Sequence, residues 1–90
     1  MKAQKKPVVI DFLPVNDESA AMAEIKKWVE NFGDNPDDHF YHKDGEGIFV
    51  KTLEGNSYAV TIKDVVIRGI QGEYYPCKKD VFEQTYDVLS

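Results

Sequence analysis

One long helical stripe governs what this chain can become. From Glu18 to Phe32 the apolar residues Met22, Ile25, Val29 and Phe32 recur at spacings of 3, 4 and 3, the period of one helix face. Ala21 and Trp28 widen the stripe, while Glu24, Lys26, Lys27, Glu30 and Asn31 face away. Asn16 and Asp17 offer N-cap oxygens, Asp17 and Glu18 put negative charge at the positive helix end, and Gly33 supplies a left-handed stop. A Met and aromatic stripe at this period is a packing surface, so the helix needs a sheet to cover.

The remainder of the chain reads mainly as strands. Val8-Val9-Ile10-Asp11-Phe12-Leu13 is a β-branched run that predicts a buried first strand ended by Pro14. His39–His42, Ile48–Leu53, Tyr58–Lys63, Val65–Ile70 and Glu73–Cys77 follow as strand segments. Tyr58, Val60 and Ile62 are expected on one face. Glu54-Gly55-Asn56-Ser57 and Gln71-Gly72 predict hairpin turns. Lys79–Gln84 predicts one or two helical turns with Val81 and Phe82 inward, and Thr85–Leu89 has the character of an edge strand. A helix followed by antiparallel strands predicts a single α+β domain over residues 1–90. Its single amphipathic helix would pack on one face of a curved, mainly antiparallel four- to six-stranded sheet. The other face is then expected to be solvated or to meet a partner.

Charge narrows the function classes. The net charge of −5 is carried by the stretch Glu30–Glu46, where Glu30, Asp34, Asp37, Asp38, Asp44 and Glu46 face only Lys43. Elsewhere ten acids balance ten bases. This stretch is a solvated loop in one reading and an acidic patch for a basic partner in another. Its acids are concentrated in 17 of the 90 residues, whereas a nucleic-acid mimic needs them over a whole face. Direct nucleic-acid binding is not expected, because no basic cluster exceeds Lys5-Lys6, Lys26-Lys27 or Lys78-Lys79. No apolar stretch is long enough for a membrane span, and none follows the basic start Met1–Lys6 for long enough to form a signal peptide. One cysteine excludes an internal disulfide framework. A cytoplasmic domain is expected.

No catalytic constellation emerges. Cys77 is the sole thiol, with Lys78 and Lys79 beside it and His39 or His42 as candidate bases. Nothing local marks it as activated, and a structural thiol is the commoner case. His39 and His42 suit a metal by type, but residues i and i+3 of a strand point to opposite faces; no metal or cofactor is expected. Glu73 on its strand would need a partner such as Arg68 across the hairpin. The Tyr74-Tyr75 pair with Arg68 could line a ligand pocket.

The stretch Lys63–Tyr86, with its core Gly69-Ile70-Gln71-Gly72-Glu73-Tyr74-Tyr75-Pro76-Cys77-Lys78 followed by Asp80, Phe82, Thr85 and Tyr86, resembles the C-terminal signature of small phage and prophage proteins. Lys5–Ile10 and Lys51–Gly55 also fit the pattern. The family's Pro-Gly-Asp turn is Ile62-Lys63-Asp64 here, and the proline after Cys-Lys is Lys79. The resemblance implies a phage origin and action in the host bacterial cytoplasm, with no reaction attached. The resulting expectation is a non-catalytic accessory protein that engages a host protein, with defence components among the candidates. The alternative is a protein that binds or sequesters a nucleotide or signalling molecule. An acidic nucleic-acid mimic and a small enzyme come behind both, and self-association is left open. Candidate binding residues are Asp34, Asp37, Asp38, Arg68, Glu73, Tyr74 and Tyr75.

Overall fold

Asp17 opens the first helix as the sequence predicts. Its carboxylate accepts from the Ser19 N–H at 3.0 Å and the Ser19 hydroxyl at 2.7 Å, which lowers the Asp17 pKa from its ordinary 3.8. In a computed structural model, which describes residues 1–4 and 7–89, this helix α1 runs Glu18–Glu30. The Lys5-Lys6 dipeptide of the resemblance lies outside the described residues. The strands are β1 (Asp11–Pro14), β2 (Phe40–Lys43), β3 (Gly47–Lys51), β4 (Ser57–Val60), β5 (Asp64–Arg68) and β6 (Tyr74–Lys78), and a second helix α2 spans Lys79–Thr85. A short 3₁₀ turn at Pro36–Asp38 joins α1 to β2.

The domain is α+β, but its strands form two antiparallel three-stranded sheets, ordered β1-β5-β6 and β2-β3-β4, and a second helix joins the first. This corrects the expectation of one continuous four- to six-stranded sheet, while α2 stands where helical turns are expected over Lys79–Gln84. The chain breaks between β4 and β5 because Asp64 is buried as the acceptor of a tight turn. Its carboxylate receives the Thr61 N–H at 2.8 Å and the Thr61 hydroxyl at 3.1 Å, with Lys78 Nζ at 3.2 Å. Ile62 therefore sits in a turn, exposed, rather than on the strand with Tyr58 and Val60.

Two cores flank β5, whose Val65, Val66 and Ile67 are all buried. Val66 and Tyr74 on one face meet Ala21, Ile25 and Val29 of α1 together with Phe40, Ile48, Val50 and Val60 of the second sheet. Val65 and Ile67 on the other face meet Phe82 of α2, with Phe12, Tyr75, Cys77 and Tyr86 around them. Ninety residues cover both faces of the β1-β5-β6 sheet because that sheet is only three strands wide.

Three further expectations are corrected. Val8 and Val9 do not form a buried strand: Val9 is 78% exposed and β1 begins at Asp11. Asp11 already pairs with Arg68, the last residue of β5, so Val8, Val9 and Ile10 have no ladder partner on that strand. Val81 points outward while Phe82 is buried. Tyr86 stacks on Phe82 at 5.1 Å instead of starting an edge strand, and residues 87–89 join no sheet. Lys79, where the phage pattern has proline, ties α2 to the start of α1. Its ammonium donates to the Val15 carbonyl at 2.8 Å and Asn16 Oδ1 at 2.9 Å.

Candidate binding surface

The β5–β6 hairpin sends the candidate residues to opposite faces. Arg68 and Tyr74 are register partners and share the face toward α1. Side chains alternate along a strand, so Glu73 and Tyr75 lie on the face toward α2. The expected Glu73–Arg68 pair is thereby corrected. The Glu73 carboxylate instead folds over its own turn, accepting from the Gln71 N–H at 3.4 Å. Gly72 closes that turn at φ +78°, and a Cβ on the buried Gly69 would collide with the Glu73 carboxylate. The left-handed φ makes the expected Gly72 a requirement of this hairpin.

Arg68 pairs with Asp34. Its Nε lies 3.5 Å from Asp34 Oδ2, and the guanidinium sits 4.5 Å from the Phe32 ring centroid. Tyr74, fully buried, donates its hydroxyl to the same Asp34 oxygen at 2.7 Å. Trp28, His39 and Phe40 surround the Tyr74 ring at 5.8, 4.7 and 5.5 Å. The Tyr74 hydrogen bond, then the Arg68 charge, hold the Asp34 carboxyl below its ordinary 3.8. Burial, then the bond to Asp34, push the Tyr74 hydroxyl up to about 12. The acidic stretch Glu30–Glu46 is therefore not uniform: Asp34 is tied into the fold, while Asp37 and Asp38 stand exposed on the 3₁₀ turn.

Glu73 and Tyr75 line a groove of about 650 Å³ between the hairpin tip and the β3–β4 turn. Tyr75 and Pro76 meet there with Val8, Leu53, Tyr58 and Ile70, and Glu54 and Glu73 are its charged residues. Leu53 and Ile70 are 67% and 73% exposed. Burial, then the neighbouring Tyr86, push the Tyr75 hydroxyl up to about 12. Periodicity and motif do not single out Leu53 and Ile70, although each is a large apolar residue inside a turn motif, Leu53-Glu54-Gly55 and Gly69-Ile70-Gln71-Gly72. That placement is the signal that could have found them.

Cys77 faces the α2 core, its thiol 3.5 Å from the Lys78 carbonyl. Burial, then the charges of Asp64 and Asp80, push its pKa up. The neighbouring lysines do not activate it; Lys78 is paired with Asp64 and Lys79 with the α1 start. His39 packs on Tyr74 at the opposite face, and His42 lies 3.7 Å from Asp44. Among the described residues, no three His, Cys, Asp or Glu side chains gather as a metal-holding group, and no helix is long and apolar enough to cross a membrane. The chain matches no protein-family model, no curated protein and no solved structure.

Proposed function

We propose that this chain is a non-catalytic accessory protein of phage origin that engages a host protein in the bacterial cytoplasm through the groove between the hairpin tip and the β3–β4 turn. The observation that carries this reading is the gathering of Val8, Leu53, Tyr58 and Ile70 around one groove whose ionisable rim is acidic. Large apolar side chains clustered at one surface depression are the anchors of partner recognition. Glu54 and Glu73 favour a partner segment that combines apolar side chains with a lysine or arginine. The Gly-Glu-Tyr-Tyr-Pro-Cys signature supports the phage origin.

Capture from host lysate tests the reading. Wild type should retain a stoichiometric partner, and Leu53→Asp or Ile70→Asp should each weaken retention by about tenfold or more, the value of one buried apolar anchor. Both side chains are exposed, so the folded domain tolerates the changes. Asp37→Asn with Asp38→Asn tests the acidic stretch Glu30–Glu46 separately and leaves Asp34 to hold the fold. Capture of no stoichiometric partner under several conditions would overturn the proposal.

The groove volume favours one second reading, a small-ligand binder. About 650 Å³ falls within the range of ligand sites, roughly 300–1,000 Å³, and Tyr75 and Tyr86 offer ring surfaces. A nucleotide at 100 times its dissociation constant would add about 2.7 kcal/mol of stability. A thermal-shift panel of nucleotides with no response would remove this reading.

A further inference from the structure

Among the described residues, two three-stranded sheets leave four strand edges, at β1, β6, β2 and β4. An unpaired edge is a template for another strand unless proline, charge or a covering segment blunts it. Hydrogen-bond registers show which residues of each edge turn their main-chain groups outward.

In the first sheet the Val15 N–H bonds the Asp64 carbonyl at 3.1 Å and the Gly69 N–H bonds the Glu73 carbonyl at 2.8 Å. Antiparallel pairs alternate between bonded and outward-facing positions. With the registers Pro14↔Val65 and Val66↔Pro76, the outward residues include Pro14 on β1 and Pro76 on β6. Both edges of that sheet thus carry a proline where an outward N–H would otherwise stand. In the second sheet β2 carries His42 and Lys43, with Asp44 beside the histidine.

Among the described residues, the β4 edge has none of these guards. Its residues are Ser57-Tyr58-Ala59-Val60, and Ser57, Tyr58 and Ala59 are exposed. The Thr52 N–H bonds the Asn56 carbonyl at 2.8 Å while the Lys51 N–H bonds His39 on the other side. With Val50↔Tyr58 and Phe49↔Ala59 in register, Tyr58 turns its main-chain groups to β3. Ser57 and Ala59 turn theirs to the open edge.

We propose that β4 is a self-association edge whose occupant is the β4 strand of a second copy of this chain. Antiparallel pairing about a two-fold axis at Tyr58 sets Ser57 of each copy against Ala59 of the other, small residue against small. It sets Tyr58 against itself as a cross-strand aromatic pair, at about 4.5 Å between Cα atoms for such a position. The Glu54 end of each strand comes beside the Lys63 end of the other, so the flanking charges are complementary. The acidic stretch Glu30–Glu46 ends at the β2–β3 turn, on the far side of the second sheet. The result is a six-stranded sheet spanning two copies, with β3 and β4 of each at its centre. This inference does not rest on the groove reading.

The two-fold register makes the test specific. Tyr58→Lys and Tyr58→Glu each oppose like charges across the axis, whereas a mixture of the two opposes unlike charges. Multi-angle light scattering or analytical centrifugation of the full chain, over a series reaching about 1 mM, covers the affinity of a small interface. Wild type should dimerise, each variant alone should be monomeric, and the equimolar mixture should recover the dimer. A wild type monomeric throughout, or a dimer indifferent to both variants, would overturn the proposal, and a mixture that stays monomeric would overturn the register. Wild-type amide exchange gives a readout without substitution. The Ser57 and Ala59 amides should exchange more slowly as concentration rises while the His42 amide does not, and equal rates at every concentration would count against the edge.

Discussion

Ile25→Ala is expected to destabilise the domain by about 2–5 kcal/mol, the cost of removing a fully buried branched side chain and leaving a cavity. Ile25 has no exposed surface and stands where α1, the β1-β5-β6 sheet and the β2-β3-β4 sheet converge, among Val50, Val60, Val66 and Tyr74. A cavity at that junction has strands from two sheets around it, and neither can close it without moving against the other. Denaturant unfolding followed by far-UV circular dichroism should show a lower midpoint with a single transition. Val81→Ala provides the contrast: its half-exposed side chain should cost within about 0.5 kcal/mol, as at most surface sites. A loss at Val81 matching that at Ile25 would contradict the orientation of α2.

The difference between these isoleucine and valine positions also shows what local sequence conveys. Ile25 belongs to a stripe repeated over several turns and bounded by Asp17 and Gly33, so its burial is legible. The hairpins are legible for a similar reason, since Gly55 and Gly72 lie where the chain must reverse. Val81 and Phe82 are adjacent on a short helix, where period alone cannot choose which faces inward. Val8 and Val9 have strand propensity, yet a strand needs a ladder partner, and β5 ends opposite Asp11. The division into two sheets turns on Asp64, whose burial follows from the Thr61 turn and Lys78 rather than from any pattern. The candidate site is split for the same non-local reason. Asp34 and Tyr74 are forty residues apart in sequence, and nothing near either announces the other. Arg68 and Glu73 look like cross-hairpin partners, but the alternation of the hairpin separates them.

Tyr74→Phe isolates the contact that joins those distant segments. The substitution keeps the buried ring and deletes the hydroxyl that donates to Asp34 at 2.7 Å. A hydrogen bond to a charged group contributes about 1.5–3 kcal/mol, and that is the expected loss near neutral pH. The size of the loss should depend on pH in a direction fixed by Asp34. Because folding holds this carboxyl below its ordinary 3.8, chiefly through the Tyr74 hydroxyl, the tie contributes fully above that value. It is lost as the pH falls below 3.8 through the lower folded value. Wild type and Tyr74→Phe should therefore differ most near pH 7 and converge toward pH 3. Tyr74 governs the alkaline limb in the opposite sense. Its hydroxyl is raised from 10.0 to about 12, so the neutral form is preferred in the folded state and stability falls as the pH climbs from 10 toward 12. The Tyr74→Phe variant lacks that hydroxyl and its share of the fall, leaving the share of Tyr75, which is raised to about 12 as well. Unfolding midpoints measured across pH 3–11 test both limbs, and a difference between the two proteins that stays constant below pH 4 would refute the assignment of Asp34 as the acceptor.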